Sequence, residues 1–168
     1  MAIHTVENTH VEMTQMVLPA FANSIGTVFG GQILSWLDVC AAVSAQRHAR
    51  TPVVTASIDS VHFIQPVKQG QIVILKSQVN AVFNTSMEIG VIVIAENPLT
   101  GERHKACRAY CTFVALDADG CPIKLPPLIL QNSTDERRSQ EAHERRNRRL
   151  KNRSEETAKS GQPRPTQP

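Results

Sequence analysis

NSIGTVFGGQILSWLDVCAAVSAQ, residues 23–46, is the stretch on which the fold turns. Asn23, Gly26 and the pair Gly30-Gly31 tolerate positive φ and mark a turn, after which an apolar segment runs without a breaker until Pro52. That pattern predicts a loop feeding a long helix. Ile33, Leu34, Trp36, Leu37, Val39, Cys40, Ala41, Ala42, Val43 and Ala45 leave too little polarity on any side for a solvated face, so the helix is expected to be buried nearly all round. Asp38 sits in its middle. A buried carboxylate without a partner costs several kcal/mol, so this residue demands either a partner or a task.

Outward from the helix, the chain reads as strands. Residues 10–18 alternate in strand fashion until Pro19 stops them, and they suit a sheet edge. Residues 53–64 are rich in β-branched side chains, and a turn follows at 65–70. Residues 71–83 and 86–96, dense in Val and Ile, are joined by Asn84-Thr85 and predict a hairpin. A last strand, 105–116, lies between the turns 97–101 and 117–120. One strand, one buried helix and then four strands with short turns give an α+β domain in which an antiparallel sheet of about five strands curls around the helix. One sheet edge and one end of the helix stay uncovered in such a unit, and dimerisation would cover both.

Bulk composition narrows the class. With 168 residues, 41% hydrophobic and 20% charged, the chain suits one globular domain over residues 1–130 followed by a charged tail over 131–168. The net charge of +3 belongs to that tail: residues 1–130 hold eight Lys/Arg against nine Asp/Glu, residues 131–168 ten against six. The tail reads as a solvated, lightly helical segment with a Ser/Thr cap near Ser133, turning disordered over 157–168. Arg145, Arg146, Arg148 and Arg149 have no aromatic residues among them, which argues against nucleic acid as a partner. No stretch approaches the roughly 20 apolar residues of a membrane helix and none reads as a signal peptide, so a soluble, cytoplasmic protein is expected. Cys40, Cys107, Cys111 and Cys121 lack metal-site spacing and read as small apolar residues, so no metal is expected.

Several motifs together carry a resemblance: Asn23 with Gly26, Phe29-Gly30-Gly31, Ser35-Trp36-Leu37-Asp38, Thr55-Ala56-Ser57, Phe63 with Pro66-Val67 and Gly70, Thr85-Ser86-Met87, and Thr112-Phe113-Val114-Ala115. Over residues 8–125 the chain resembles the hotdog-fold acyl-CoA thioesterases of the cytosolic acyl-CoA hydrolase type. The resemblance implies hydrolysis of fatty acyl-CoA to fatty acid and CoA, without cofactor or metal, by homodimers that assemble as a trimer of dimers. Asn23 and Asp38 align with the family's catalytic Asn and Asp, Asp38 serving as general base or nucleophile. Thr85, Ser86 and Phe63 fall where family members hold the substrate and its CoA portion.

The residues themselves suit that chemistry. Backbone amides at Gly30 and Gly31, at a helix N-terminus, can stabilise an oxyanion, and the Asn23 amide can join them; read alone, Asn23 could equally serve only its turn. Gly31 and Asp38 lie two helical turns apart, about 10 Å, too far for one thioester to touch both easily, and an antiparallel helix from a second subunit is the simple way to bring the two halves of a site together. Thr85-Ser86 could likewise be no more than a hairpin turn. Asp59 offers a second acid or a cross-strand hydrogen bond. Two other functions compete: a hotdog hydratase, which the absence of His from residues 19–38 disfavours, and a non-catalytic acyl-CoA binding module, for which Asp38 has no use.

Overall fold

The structure is a computed structural model that describes residues 4–59 and 61–160, with side chains as far as residue 155. Its strands are β1 (Val11–Met16), β2 (Val53–Ile58), β3 (His62–Phe63), β4 (Ile72–Val82), β5 (Ser86–Glu96) and β6 (Arg103–Ala115), and its helices α1 (Gly30–Ala49) and α2 (Ser133–Ser160). The antiparallel sheet runs β1-β4-β5-β6-β2, with β3 also paired to β6. The β4–β5 hairpin closes at Phe83, whose N–H donates to the Ser86 carbonyl at 2.8 Å. The strand expected over 53–64 is two strands, because a bulge between Thr55 and Ser57 shifts the register and the ladder to β6 breaks before His62.

Period-two alternation sets the two sheet faces. Met87, Ile89, Val91, Val93 and Ala95 of β5 and Cys107, Ala109, Cys111 and Phe113 of β6 are buried against α1. Ile33, Trp36, Leu37, Cys40, Ala41, Ala45 and His48 of α1 meet them. Ser77 of β4 pins the helix, donating to the Cys40 carbonyl at 2.9 Å and pairing with the Ser44 hydroxyl at 2.7 Å. Arg50 ends α1 in the left-handed region at φ 58°, its N–H bonded to the Gln46 carbonyl.

The helix is not buried all round within one chain. Val39 is 52% exposed and Val43 36%, and on the edge strand β2 Ile58, paired with the α1-facing Cys111, is exposed as well. Apolar composition alone does not distinguish a face covered by the chain's own sheet from one left open.

The tail expectation also needs correction. α2 is 28 residues long and lies on the outer face of the sheet, opposite α1. Asn132, rather than Ser or Thr, caps it: its Oδ1 accepts from the Asp135 N–H at 3.0 Å, and Asp135 Oδ2 accepts from the Gln131 N–H and the Asn132 side chain. Few apolar residues dock it, Ala142 being fully buried; charge does most of the rest. Arg145 clamps Glu88, a fully buried acid on β5, through contacts of 2.8 and 3.2 Å, and covers the Tyr110 ring at 3.6 Å. Arg149 pairs with Asp59, just after β2, and reaches Glu88 at 3.4 Å. Arg146 lies over Phe83 and Arg138 donates to Gln78. Of the stretch expected to be disordered, the helix takes in residues up to Ser160, and 161–168 lie outside the described residues. No helix among the described residues is long and apolar enough to cross a membrane.

Candidate active site

The loop before α1 is built on Asn23. Its Oδ1 accepts from the N–H groups of Ile25 and Thr27, both at 3.1 Å, and its Nδ2 donates to Thr27 Oγ1 at 2.9 Å. Gly26 turns the loop at φ 75°, and its carbonyl accepts from the Gln69 N–H while the Val28 N–H donates to Val67, so segment 67–69 holds the loop in place. Asn23 is therefore a turn residue in this chain. The same bonds fix the amide so that Nδ2, with its second hydrogen, is the group left to act as a donor.

Directly after that loop α1 begins without a side-chain cap, its N-cap position being Phe29. The first N–H groups of a helix have no intrahelical partner, which leaves the Gly30 and Gly31 amides available. Around Gly31 there is open space, since a Cβ built there meets nothing within 4 Å. Gly30 is crowded instead: a Cβ would lie 3.3 Å from the Phe63 ring. Gly30, Gly31 and Phe63 thus sit together at the N-terminal end of α1, into which the Asn23 loop leads.

Asp38 lies elsewhere. Eight residues past Gly30 it is about 12 Å further along the helix axis. Thr55 of β2 donates its hydroxyl to Asp38 Oδ1 at 2.8 Å, so the partner that a half-buried carboxylate requires comes from the sheet edge, beside the bulge. Thr55 belongs to a motif already quoted, but composition gives no hint that it meets Asp38. Thr85 and Ser86 stand apart again: Ser86 pairs with Val114 whereas Phe63 pairs with Cys107, seven residues or about 23 Å away along β6. Within one chain the residues fall into three groups.

Neighbouring nucleophiles are poor ones. Burial pushes the Cys111 thiol up to about 12, with the Asp38, Asp59 and Glu88 carboxylates adding to it, and pushes Cys107 up to about 11; Cys40 is raised by burial as well. His62 is exposed on β3, and His48 is buried with Nε2 on the Pro126 carbonyl at 3.0 Å. Asp59, the other candidate acid, is taken by Arg149. No group of three or more metal-ligating side chains occurs among the described residues. Of the two candidate acids, Asp38 is the one without a cation on it among the described residues, its partner being the Thr55 hydroxyl.

A family model described as the thioesterase superfamily matches residues 25–102. The uncharacterized acyl-CoA thioester hydrolase YkhA of Bacillus subtilis is 40% identical over 146 residues, 84% of this chain and 85% of that protein. The chain belongs to the hotdog acyl-CoA thioesterases. Membership makes it a hydrolase of acyl-CoA thioesters. The fold of this thioesterase matches an apo-hexameric acyl-CoA thioesterase with a TM-score of 0.85 at 38% identity, covering 89% of this chain and 97% of the other. It also matches an acyl-CoA hydrolase from Staphylococcus aureus, solved with butyryl-CoA, CoA and CoA disulfide, at TM-score 0.86 and 30% identity over 95% and 97% of the two chains. That hydrolase has further been solved with an aspartate, an asparagine and a threonine each replaced by alanine.

Proposed function

We propose that this thioesterase hydrolyses fatty acyl-CoA to free fatty acid and CoA at a site shared between two subunits, with Asn23, Gly30 and Gly31 from one and Asp38 from the other. Asp38 takes a proton from a water whose oxygen attacks the thioester carbonyl carbon. The developing oxyanion is met by the Gly30 and Gly31 amides and by the second N–H of Asn23 Nδ2. Collapse breaks the C–S bond, and the CoA sulfur leaves with the proton that Asp38 returns. Thr55 positions the carboxylate by holding Oδ1. Thr85 and Ser86 contact the CoA portion, and Phe63 shields the thioester beside Gly30. No metal or cofactor takes part.

The observation that carries this reading is the Thr55–Asp38 hydrogen bond on an open apolar face. The three residues replaced in the Staphylococcus aureus hydrolase are spaced fifteen and seventeen positions apart, the spacing of Asn23, Asp38 and Thr55 in this chain. Sharing is supported by the separation of the groups and by the exposed Val39, Val43 and Ile58 on the α1 side, apolar side chains that a second, antiparallel α1 would cover. A trimer of such dimers is the assembly we propose, in line with the hexameric relative, and the cytoplasm the location.

Mixing variants tests it. Asp38→Asn and Asn23→Ala should each fold and each lose about 10²–10³ or more in kcat. Unfolded together in equal amounts and refolded, they form about half mixed dimers, each with one intact site, and thiol release recovers to roughly a quarter of wild type. If activity stays at the level of the separate variants although mass spectrometry shows subunit exchange, the shared site is wrong. If wild type releases thiol from no acyl-CoA, the protein is a binding module.

A further inference from the structure

On the outer face of the sheet, beneath the first half of α2, lies a cavity of about 490 Å³ that contains neither Asn23 nor Asp38. Its floor consists of two rows across the central strands, Lys76–Ile92–Arg108 and Gln78–Gly90–Tyr110. Gly90 lets the Asn80 side chain lie against that floor, since a Cβ there would come within 2.6 Å of Asn80 Nδ2. Lys76, Arg108, Arg137, Arg138 and Arg145 line it against two carboxylates, Glu12 and Glu141.

Protein partners account for only part of that charge. Glu12 takes Lys76 at 2.8 Å, Glu141 takes Arg137 at 2.7 Å, and Arg145 is held by Glu88. Arg108 and Arg138 have no carboxylate partner among the described residues. Arg138 instead donates to Gln78 Oε1 at 2.9 Å, and this bond fixes the Gln78 amide because a guanidinium needs an acceptor. Gln78 Nε2 is then a buried donor without a partner, one that a native protein rarely leaves unsatisfied.

We propose that this cavity binds a phosphate-bearing anion, gripped between α2 and the sheet by Arg108, Arg138 and the Gln78 amide. The donors come from β4, β6 and α2, an arrangement that suits a group with several acceptor oxygens better than a planar carboxylate. The volume admits anything from inorganic phosphate to a small phosphorylated metabolite. This inference does not rest on the shared-site proposal, because the cavity is on the face of the sheet away from α1.

Calorimetry and thermal melts with inorganic phosphate and diphosphate, against NaCl at equal ionic strength and with and without saturating CoA, test it. Saturable binding and a raised Tm are expected in wild type. Arg108→Gln, on an exposed strand position, should weaken binding at least tenfold while leaving anion-free turnover unchanged, and Arg138→Gln should do likewise. Binding that persists under saturating CoA supports the site, whereas binding that CoA abolishes overturns it as a separate site, because the phosphates would then belong to the substrate. Absence of saturable binding, or affinity untouched by Arg108→Gln, overturns the proposal.

Discussion

Removing Arg145 probes how a strongly charged helix stays on a sheet. Glu88 is fully buried and receives its strongest contacts from Arg145, at 2.8 and 3.2 Å. Arg145→Ala leaves that carboxylate under α2 with only Arg149 at 3.4 Å and the Asn80 amide at 3.3 Å. Stripping one partner from a buried ion pair costs about 3–5 kcal/mol, and the remaining contacts place this case near about 3. For a chain of this length that corresponds to a Tm lower by about 6–12 °C. Exposed Arg137, paired with Glu141 across one helical turn, is the control, and Arg137→Ala should cost less than about 1 kcal/mol. The decisive arm is the double variant Glu88→Gln/Arg145→Ala, which removes the stranded charge and should recover much of the loss. Thermal and urea melts on all four proteins measure this. A double variant no more stable than Arg145→Ala would refute the reasoning, because the loss would then come from packing and not from an uncompensated charge.

Three more outcomes are expected. Burial holds the His48 pKa below its ordinary 6.5, with the Pro126 hydrogen bond opposing and His4 adding; the unfolded chain then binds the proton more readily, so this contribution to stability is complete above pH 6.5 and is lost as pH falls through 6.5 toward the folded value, by up to about 1.4 kcal/mol per unit, a slope in urea midpoints that His48→Asn should flatten. Thr55→Val keeps the side-chain shape but removes the donor to Asp38, so kcat should fall about tenfold with KM steady and return in Thr55→Ser; equal loss in kcat and stability would make Thr55 merely structural. Gly31→Ala should stabilise the helix by up to about 1 kcal/mol because its Cβ meets open space, while kcat/KM drops if the thioester occupies that space; unchanged kcat/KM would place the substrate elsewhere.

Where the local pattern was strong, sequence alone determined the structure. β5 occupies the predicted residues 86–96, because β-branched runs on either side of Asn84-Thr85 leave a hairpin as the only short connection. The glycine-marked loop, the start of α1 and the isolation of Asp38 on it were legible for the same reason: each depends on residues within a few turns of one another. Three features came only with the tertiary structure. Thr55 reaches Asp38 across seventeen positions, through a bulge that no composition announces. Val39 and Val43 read as core because an apolar side chain looks the same whether its cover is the chain's own sheet or a surface left open. And α2, which reads as solvated because arginine usually is, docks through Glu88, 57 positions from Arg145; a pairing of opposite charges at that range leaves no periodicity in the sequence, only an acid set inside a strand of Val and Ile.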